Sequence, residues 1–243
     1  MYKVVTTRDG SKTLFSQQYN QHYHSINDGA IFESLSKHII PAFTFHQNKN
    51  ELNILDICFG LGYNTLATIY YVKKYNINAK INIYSPELDE VLISSLKEFE
   101  YPKEFEELKS IIIKLCEDKY YKDTQFNIII KIGDAREYLN SLEINFDIIY
   151  QDAFSSDVNN ELWTKEYFDI LYRLSNKNTI ITTYSIATPV RLSMYEAGFN
   201  IYEYIPEIKK QTLAFKEKQE LLGKFVDMQL KKQRNPQAKA LRD

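Results

Sequence analysis

Five short apolar runs recur along the middle of the chain, and stretches with helical periodicity separate them. Each run is nearly continuous in apolar and β-branched residues, which is typical of strands covered by helices on both faces. The runs are LNILDIC (52–58), KINIYS (80–85), FNIIIKI (126–132), FDIIYQ (146–151) and NTIITTYS (178–185). Their alternation with helices predicts an α/β fold, Rossmann-like and doubly wound, around a mostly parallel sheet.

The segments around these runs predict the rest of the organisation. Residues 1–50 are expected to form a small cap, with a turn at Arg8-Asp9-Gly10 and a helix over 29–40. Residues 51–215 form the predicted core, which is helical from Leu88 to Lys122. The core closes with an antiparallel hairpin made by NIYEYIPE (200–207) and KQTLAFK (210–216). No repeat or Pro/Gly-rich linker divides the sequence, so one main domain is expected.

Residues 216–243 are expected to form a basic, helical tail. The formal net charge of the 243 residues is -2, which argues against a protein that coats nucleic acid nonspecifically. From Lys209 onward, however, ten Lys or Arg face four Asp or Glu, and the preceding residues are acidic. The pattern fits a solvated amphipathic helix such as LLGKFVDMQLKKQ (221–233), and it also fits an arm that contacts phosphates.

Cysteine content and hydropathy predict the compartment. Cys58 and Cys116 are too few and too scattered for a disulfide framework or a zinc cluster, so we expect a reducing cytoplasm and no metal. No apolar stretch approaches the roughly 20 residues that span a bilayer, and the first residues lack a signal-peptide pattern. A cytoplasmic protein without a membrane partner is expected. No motif indicates an oligomeric state.

The segment DICFGLGYN (56–64) follows a predicted strand and opens a predicted helix. Gly60 and Gly62 let the backbone approach a ligand closely, and the helix start offers free N–H groups. Position 65 is Thr, whereas the dinucleotide fingerprint needs a third glycine there, so NAD is disfavoured. A tight turn that binds no ligand has a similar sequence, so the loop alone does not establish a cofactor site.

Acidic residues also end the first three predicted strands, at Asp56, Glu87 and Asp134. A carboxylate at Glu87 accepts hydrogen bonds from both ribose hydroxyls, and a side chain at Asp134 reaches an adenine amino group. Each is also an ordinary strand-end acid, but the three in order favour an adenosyl ligand. With the reversed terminal strand they predict a class I methyltransferase that uses S-adenosylmethionine. The predicted cofactor contacts in this core are Asp56, Phe59, Gly60, Gly62, Asn64, Glu87, Asp134 and Ala135.

The fourth predicted strand leads into Asp152 and Phe154, which should face the same crevice as the glycine loop. Methyl transfer mainly requires alignment of the acceptor, and a carboxylate suits an amine that becomes positively charged. Asp152 is therefore the predicted catalytic residue. Phe154, Trp163 and Tyr184 are predicted to stack on a flipped-out base, although core packing is the more usual role of such aromatics.

Three segments of the chain resemble the methyltransferase domain of the MnmC-type tRNA 5-methylaminomethyl-2-thiouridine biosynthesis proteins, particularly the stand-alone members. The resemblance extends over most of residues 6–215. The segments are ILDICFGLGYNTLAT (54–68), YQDAFSSDVNNELWTKEYFDIL (150–171) and TIITTYSIATPVRLSMYEAGF (179–199).

The resemblance implies methyl transfer from S-adenosylmethionine to the exocyclic amine of 5-aminomethyl-2-thiouridine at the tRNA wobble position, with Asp152 facing the amine. The FAD-dependent oxidase domain of the family is not expected here, and neither is a flavin. The cap is similar to that of spermidine synthases, which implies that His24 faces the cofactor. Two departures are Cys58, in place of the first loop glycine, and Ser155-Ser156, in place of a more apolar continuation.

A tRNA substrate would use the basic tail, and Lys209 and Lys210 are predicted to contact it. One competing hypothesis is a polyamine aminopropyltransferase or small-amine methyltransferase. It ranks second because only Asp152 and Asp157 are expected near the crevice, whereas a polycation needs several acids. Another is a noncatalytic module that binds RNA or a partner; the retained loop and the three acidic strand ends argue against it.

Overall fold

The computed structural model describes residues 2–206 and 209–243 of the chain. The cap contains a three-stranded antiparallel sheet of β1 (Tyr2–Thr6), β2 (Lys12–Ser16) and β3 (Gln21–His22). A continuous helical segment follows, made of α1 (Ala30–Glu33), a π-helical turn (Ser34–Ile39) and α2 (Ile40–Phe45). The helix therefore continues about one turn beyond the predicted end at residue 40.

The core alternates strands and helices, as the pattern of apolar runs predicted. In chain order the elements are β4 (Glu51–Ile57), α3 (Tyr63–Lys74), β5 (Lys80–Glu87), α4 (Glu90–Ser95), α5 (Lys109–Asp118), β6 (Tyr120–Lys122), β7 (Phe126–Ile132), α6 (Ala135–Asn140), β8 (Phe146–Gln151), α7 (Lys165–Arg173), β9 (Ser175–Thr183), α8 (Thr188–Glu196), β10 (Asn200–Tyr204), β11 (Gln211–Phe215), β12 (Lys224–Phe225) and α9 (Met228–Arg234). Short 3-10 turns occur at Leu96–Glu98, Lys103–Leu108 and Asn160–Leu162.

The nine strands of the main sheet are ordered β12-β10-β11-β9-β8-β4-β5-β7-β6. The five predicted runs are the neighbouring strands β9, β8, β4, β5 and β7, and all of these pair in parallel. Strand β11 lies antiparallel between β9 and β10. The chain winds in one direction from β4 to β7 and in the other from β8 onward, so the strand order reverses between β4 and β8. A crevice forms at the carboxyl ends of the strands at such a point.

Apolar side chains cover both faces of this sheet. One buried cluster joins the cap helix, α3 and α5 to one face, and a second joins α7 and α8 to the other. Because strands such as β8 are buried along their whole length, the alternating pattern of a half-exposed sheet is absent from their sequence. The predicted α/β fold, with a mostly parallel, doubly wound sheet and an antiparallel closing hairpin, is confirmed. None of the helices in the described part of the chain is long and apolar enough to cross a bilayer.

Two helix predictions were partly wrong. The segment from Leu88 to Lys122 is interrupted around Pro102, and its last three residues form β6, an edge strand antiparallel to β7. Pro102 has no backbone N–H, and the residue before a proline avoids the helical conformation, so the helix cannot run through. In the tail, residues 224 and 225 pair with β10, and only Met228–Arg234 is helical. Tertiary pairing overrides the helical period there.

Candidate active site

A cavity of about 620 Å³ opens at the carboxyl ends of β4, β5, β7 and β8. One side, the strand-end wall, consists of Phe59, Gly60, Glu87, Asp134 and Asp152. The opposite side, the cap wall, consists of Tyr19, Gln21, Tyr23, His24 and Glu33. Phe154 and Tyr184 lie between the two walls. The cap therefore supplies one wall of the site.

The glycine loop turns sharply between β4 and α3. Gly62 precedes the first residue of α3 with φ 75°, and a Cβ there would lie 2.7 Å from the Phe59 ring. Gly60 has φ 54°, and a Cβ would meet Tyr23 at 3.2 Å. Cys58 also has a positive φ, 65°. This left-handed conformation accounts for the glycine that the family has there, because an L side chain is strained in it.

Glu87 links the glycine loop to the end of β5. One carboxylate oxygen accepts a hydrogen bond from Gly60 N at 2.7 Å, and the other accepts one from Asp89 N at 2.9 Å. Burial raises the pKa of this carboxyl, and the backbone N–H bonds partly offset the effect. Each oxygen keeps a second lone pair for the two ribose hydroxyls of an adenosyl ligand.

Asp134 begins α6 and caps it, because its Oδ1 accepts a hydrogen bond from Glu137 N at 2.9 Å. Its side chain is exposed at the edge of the cavity, and Ala135 lines the cavity beside it. The free oxygen of Asp134 is available to an adenine amino group. Both residues line the cavity, and their contact with an adenosyl ligand stays a prediction.

Asp56 and Gly62 lie behind the cavity surface rather than on it. The Asp56 carboxylate is buried and accepts hydrogen bonds from Thr65 Oγ1 at 2.8 Å and Asn64 Nδ2 at 3.4 Å. Burial raises the pKa of Asp56 to about 7, and the charge on Asp152 adds to the increase. Direct cofactor contact by Asp56 is therefore not supported; it supports Asn64, which does line the cavity.

Asp152 follows β8 and faces the cavity with 14% of its side chain exposed. Its Oδ2 accepts a hydrogen bond from Asn64 Nδ2 at 2.9 Å, and its Oδ1 lies 3.4 Å from Nε2 of His38. Burial opposes ionisation, but His38, His24 and Asn64 outweigh it and lower the pKa of Asp152 below its usual value. The site therefore holds an ionised carboxylate beside the glycine loop.

Three aromatic rings meet at Phe154. Tyr19 stacks on Phe154 with ring centroids 4.7 Å apart, and Tyr23 packs edge-on at 4.9 Å. The next residue, Ser155, forms two hydrogen bonds with the Gln21 side chain, at 2.6 and 3.2 Å. The polar residue that departs from the family pattern thus has a partner on the cap wall, and this pair fixes the loop that carries Phe154.

Trp163 does not line the cavity, and the prediction that it stacks on a substrate base was wrong. Its ring is fully buried, and Nε1 donates a hydrogen bond to the Phe154 carbonyl oxygen at 2.7 Å. Trp163 is a support for Phe154. Tyr184 does line the cavity, and its hydroxyl donates to the Ala153 carbonyl oxygen at 2.9 Å.

Lys209 and Lys210 lie outside the cavity lining. Lys209 contacts both oxygens of Asp28 at 2.6 Å, and Lys210 Nζ lies 3.0 Å from Glu203. Further along the tail, Arg242 pairs with Glu166 and Glu196. Much of the basic character of the tail is thus matched by acids of the core, and the two lysines stay predicted substrate contacts.

The cavity is strongly acidic. Among the described residues, seven acids and neither Lys nor Arg line it; the acids are Glu33, Glu87, Asp89, Glu90, Asp134, Asp152 and Glu161. The expectation that only Asp152 and Asp157 are near was wrong, because the cap and the start of α4 fold over the site. Burial lowers the pKa of His24, and the charges of Glu33 and Asp152 oppose that effect. The negative electrostatic potential of these acids favours a cationic ligand in the cavity.

Sequence reasoning missed most of the cap wall and His38. Glu33 is 8% exposed, and its carboxylate accepts a hydrogen bond from Ser25 N and pairs with Lys37. Glu33 and His38 are five residues apart, a spacing that an ordinary α-helix does not align. The π-helical turn that aligns them has no signature in the sequence.

Known proteins are similar to this chain in sequence and in structure. A family model described as S-adenosyl-L-methionine-dependent methyltransferase matches residues 97–217. The crystal structure of MnmC2 from Aquifex aeolicus is similar over 100% of this chain and 78% of that chain, with a TM-score of 0.87 and 28% identity. This chain is an S-adenosylmethionine-dependent methyltransferase.

Sequence relatives confirm the resemblance to MnmC. The methyltransferase is 25% identical over 215 residues to the bifunctional tRNA 5-methylaminomethyl-2-thiouridine biosynthesis protein MnmC of Campylobacter fetus, covering 82% of this chain and 33% of that protein. It is 28% identical over 218 residues to an uncharacterised protein of Methanocaldococcus jannaschii, covering 88% of this chain and 59% of that protein. The methyltransferase thus spans less than two thirds of both relatives.

The residues of the methyltransferase fit the methyl donor. Gly60 in a left-handed conformation, a carboxylate at the end of β5 and an acid at the start of α6 line one cavity. Its acidic lining suits the positive sulfonium of S-adenosylmethionine. No cluster of His, Cys, Asp or Glu able to hold a metal ion occurs in residues 2–206 and 209–243.

Proposed function

We propose that this methyltransferase transfers a methyl group to the 5-aminomethyl nitrogen of 2-thiouridine at the tRNA wobble position. The ionised carboxylate of Asp152 between the glycine loop and the Phe154 aromatic cluster carries the proposal. A carboxylate and an aromatic surface suit a flipped-out base whose neutral amine becomes positively charged as it accepts the methyl group. The relationship to MnmC supports the same acceptor.

Asp152 aligns and stabilises the acceptor in this proposal. S-adenosylmethionine, when bound, supplies an electrophilic methyl group on a positively charged sulfur. The Asp152 carboxylate accepts a hydrogen bond from the acceptor N–H and so directs the nitrogen lone pair toward the donor side of the cavity. It also stabilises the positive charge that develops on nitrogen, in a site largely screened from water. Phe154 holds the base by stacking.

A transfer assay with labelled S-adenosylmethionine and tRNA from cells that lack this activity tests the proposal. Label should appear in the wobble nucleoside. Asp152→Asn keeps the size of the side chain and the Asn64 contact but removes the negative charge. We expect it to lower kcat by about 10²- to 10³-fold, as for other preorganised electrostatic groups, while donor binding measured by calorimetry is retained. Absence of wobble label with donor binding intact contradicts the proposed acceptor.

The acidic cavity favours a second candidate, transfer to a small free amine. Seven acids around one cavity are the arrangement that a polyamine requires. Incubation with putrescine or spermidine, with S-adenosylmethionine and separately with its decarboxylated form, distinguishes the candidates. A labelled polyamine without labelled tRNA would replace the first proposal.

A tRNA must place its phosphates outside this acidic cavity and insert only the aminomethyl base. Lys209 and Lys210 are exposed, next to the cap, and their ion pairs with Asp28 and Glu203 lie at the surface. Exposed pairs contribute only about 0–1 kcal/mol, so phosphates can displace the acids. These lysines are the phosphate contacts that we propose.

A further inference from the structure

His38 lies directly behind Asp152, and its side chain is fully buried. Nδ1 lies 2.8 Å from Thr182 Oγ1 on β9. Nε2 faces Asp152 Oδ1 at 3.4 Å and has no other polar partner among the described residues. A buried imidazole nitrogen without a full hydrogen bond destabilises the folded protein. Its position beside a carboxylate oxygen of the site therefore points to a functional role.

The π-helical turn Ser34–Ile39 brings His38 to this position. In a π turn the backbone repeats at i→i+5, so residues five apart point in similar directions. Glu33 lines the cavity, and His38, five residues later, points to the same end of the sheet, where it meets Asp152 and Thr182. A regular α-helix would rotate one of the two side chains away. Wide turns of this kind are frequent at functional sites.

The Asp152 carboxylate selects the tautomer of His38, because the Thr182 hydroxyl can either donate to Nδ1 or accept from it. If Nδ1 carried the proton, the Nε2 lone pair would face the Asp152 carboxylate, which is repulsive. If the Thr182 hydroxyl donates to Nδ1, then Nε2–H donates toward Asp152 Oδ1. The second arrangement gives Nδ1 a partner and directs the Nε2–H donor toward the carboxylate. The 3.4 Å separation is long for a hydrogen bond, and catalytic contacts of this kind commonly shorten when the substrate binds.

We infer that His38 is a positioning residue that orients the Asp152 carboxylate toward the acceptor amine. His38 holds Oδ1 and Asn64 holds Oδ2. The remaining lone pairs of the carboxylate face the cavity, where the acceptor N–H arrives. The role of the acceptor in this inference rests on the proposed function, but the contact between His38 and Asp152 does not.

Other ionisable groups also act on Asp152 and must be kept constant in a test. His24 from the cap lowers its pKa, as His38 does. Asp56 on β4 and Cys58 in the glycine loop interact with it electrostatically. Tyr184, after β9, does so as well. None of these groups is altered by a substitution at position 38.

Two substitutions separate the two nitrogens of His38. The amide of His38→Asn reaches about as far as Nδ1 and keeps the Thr182 contact, whereas that of His38→Gln reaches about as far as Nε2 and keeps a donor to Asp152. A hydrogen bond to a charged group contributes about 1.5–3 kcal/mol. We therefore expect His38→Asn to lower kcat about 10- to 100-fold at unchanged KM for S-adenosylmethionine, and His38→Gln to recover most of the activity.

The pH dependence provides a readout that a purely structural role would not change. His38 lowers the pKa of Asp152 through its charge and through its donor, and only His38→Gln keeps a donor, so the acidic limb of the pH–rate profile should move further to higher pH in His38→Asn than in His38→Gln. Equal losses in both variants, with the acidic limb unmoved, would overturn the inference.

A measurement without an acceptor keeps the test independent of the substrate. In the complex with S-adenosylhomocysteine, the ¹³C carboxyl resonance of Asp152, assigned with Asp152→Asn, should titrate at higher pH in His38→Asn than in wild type or His38→Gln. Identical titrations in all three proteins refute the positioning role. If wild type fails to label tRNA, the proposed function fails, but this titration still decides the inference.

Discussion

The strand-end wall and the cap wall face the same cavity but are built differently. The strand-end wall is held by hydrogen bonds between the ends of neighbouring strands and the loops that follow them, such as the bond from Gly60 N to Glu87. The cap wall depends on contacts between residues far apart in sequence, such as Gln21 with Ser155. In our proposals Gly60, Glu87 and Asp134 contact the methyl donor, whereas Asp152 and Phe154 contact the acceptor. Donor binding and acceptor choice should therefore respond to different substitutions.

The largest effect is expected in the strand-end wall at Gly62. Gly62→Ala places a methyl group 2.7 Å from the Phe59 ring and forces a left-handed alanine. We expect a loss of about 3 kcal/mol in the free energy of unfolding, from combined strain and overpacking, and weakened binding of S-adenosylhomocysteine. Gly10→Ala is the matched control, because Gly10 has φ 84° but nothing within 4 Å of the added Cβ. If urea unfolding showed equal losses of stability in the two variants, the contact between the added methyl group and Phe59 would contribute nothing.

The next effect concerns Asp56, behind the same wall. Its folded-state pKa of about 7 exceeds the ordinary 3.8, so the folded protein retains a proton that the unfolded chain releases. The free energy of unfolding should therefore fall as pH rises from about 4 to about 7, by up to about 1.4 kcal/mol for each pH unit in that range. Asp56→Asn removes this dependence.

Urea unfolding of both proteins across this pH range measures the difference. Asp118→Asn, at an exposed ion pair on α5, is the control and should leave the slope with pH as in wild type. A slope that persists in Asp56→Asn would assign the dependence to another group.

A smaller effect is expected between the walls at Phe154. Phe154→Ala removes the ring that stacks on Tyr19, and base stacking on an aromatic ring contributes about 1–3 kcal/mol. The KM for tRNA should rise about tenfold, with affinity for S-adenosylhomocysteine unchanged. Phe32→Ala, an exposed phenylalanine outside the cavity lining, should change neither quantity. A loss of donor affinity in Phe154→Ala would show that the two walls are not separable.

The smallest effect is expected outside both walls, at the two lysines. Replacing Lys209 and Lys210 by Ala should weaken tRNA binding modestly and reduce the slope of log K against log salt by about 2, or about one for each phosphate contact. Lys80→Ala with Lys177→Ala is the control, because these lysines lie at the amino ends of β5 and β9. An unchanged slope in the first pair would place the phosphate contacts elsewhere.

Local patterns were sufficient for the five parallel strands and for most of the strand-end wall. All five strands appeared as apolar runs, and Gly60, Glu87 and Asp134 followed them at the carboxyl ends. In a parallel sheet those ends meet at one edge, so position along the chain translates directly into position in space. The same reasoning failed for Trp163. Whether an aromatic residue near a site faces the cavity or the core depends on side chains from other segments of the chain.

The α/β class, the parallel strands and the combination of a glycine loop with acidic strand ends were predictable from local sequence patterns. Tertiary packing selects the residues that complete the cavity. Tyr19, Glu33 and His38 reach the site because the cap folds back on the sheet and its helix widens into a π turn. Periodicity records which face of an element is buried, but it holds no information about which distant side chains meet there.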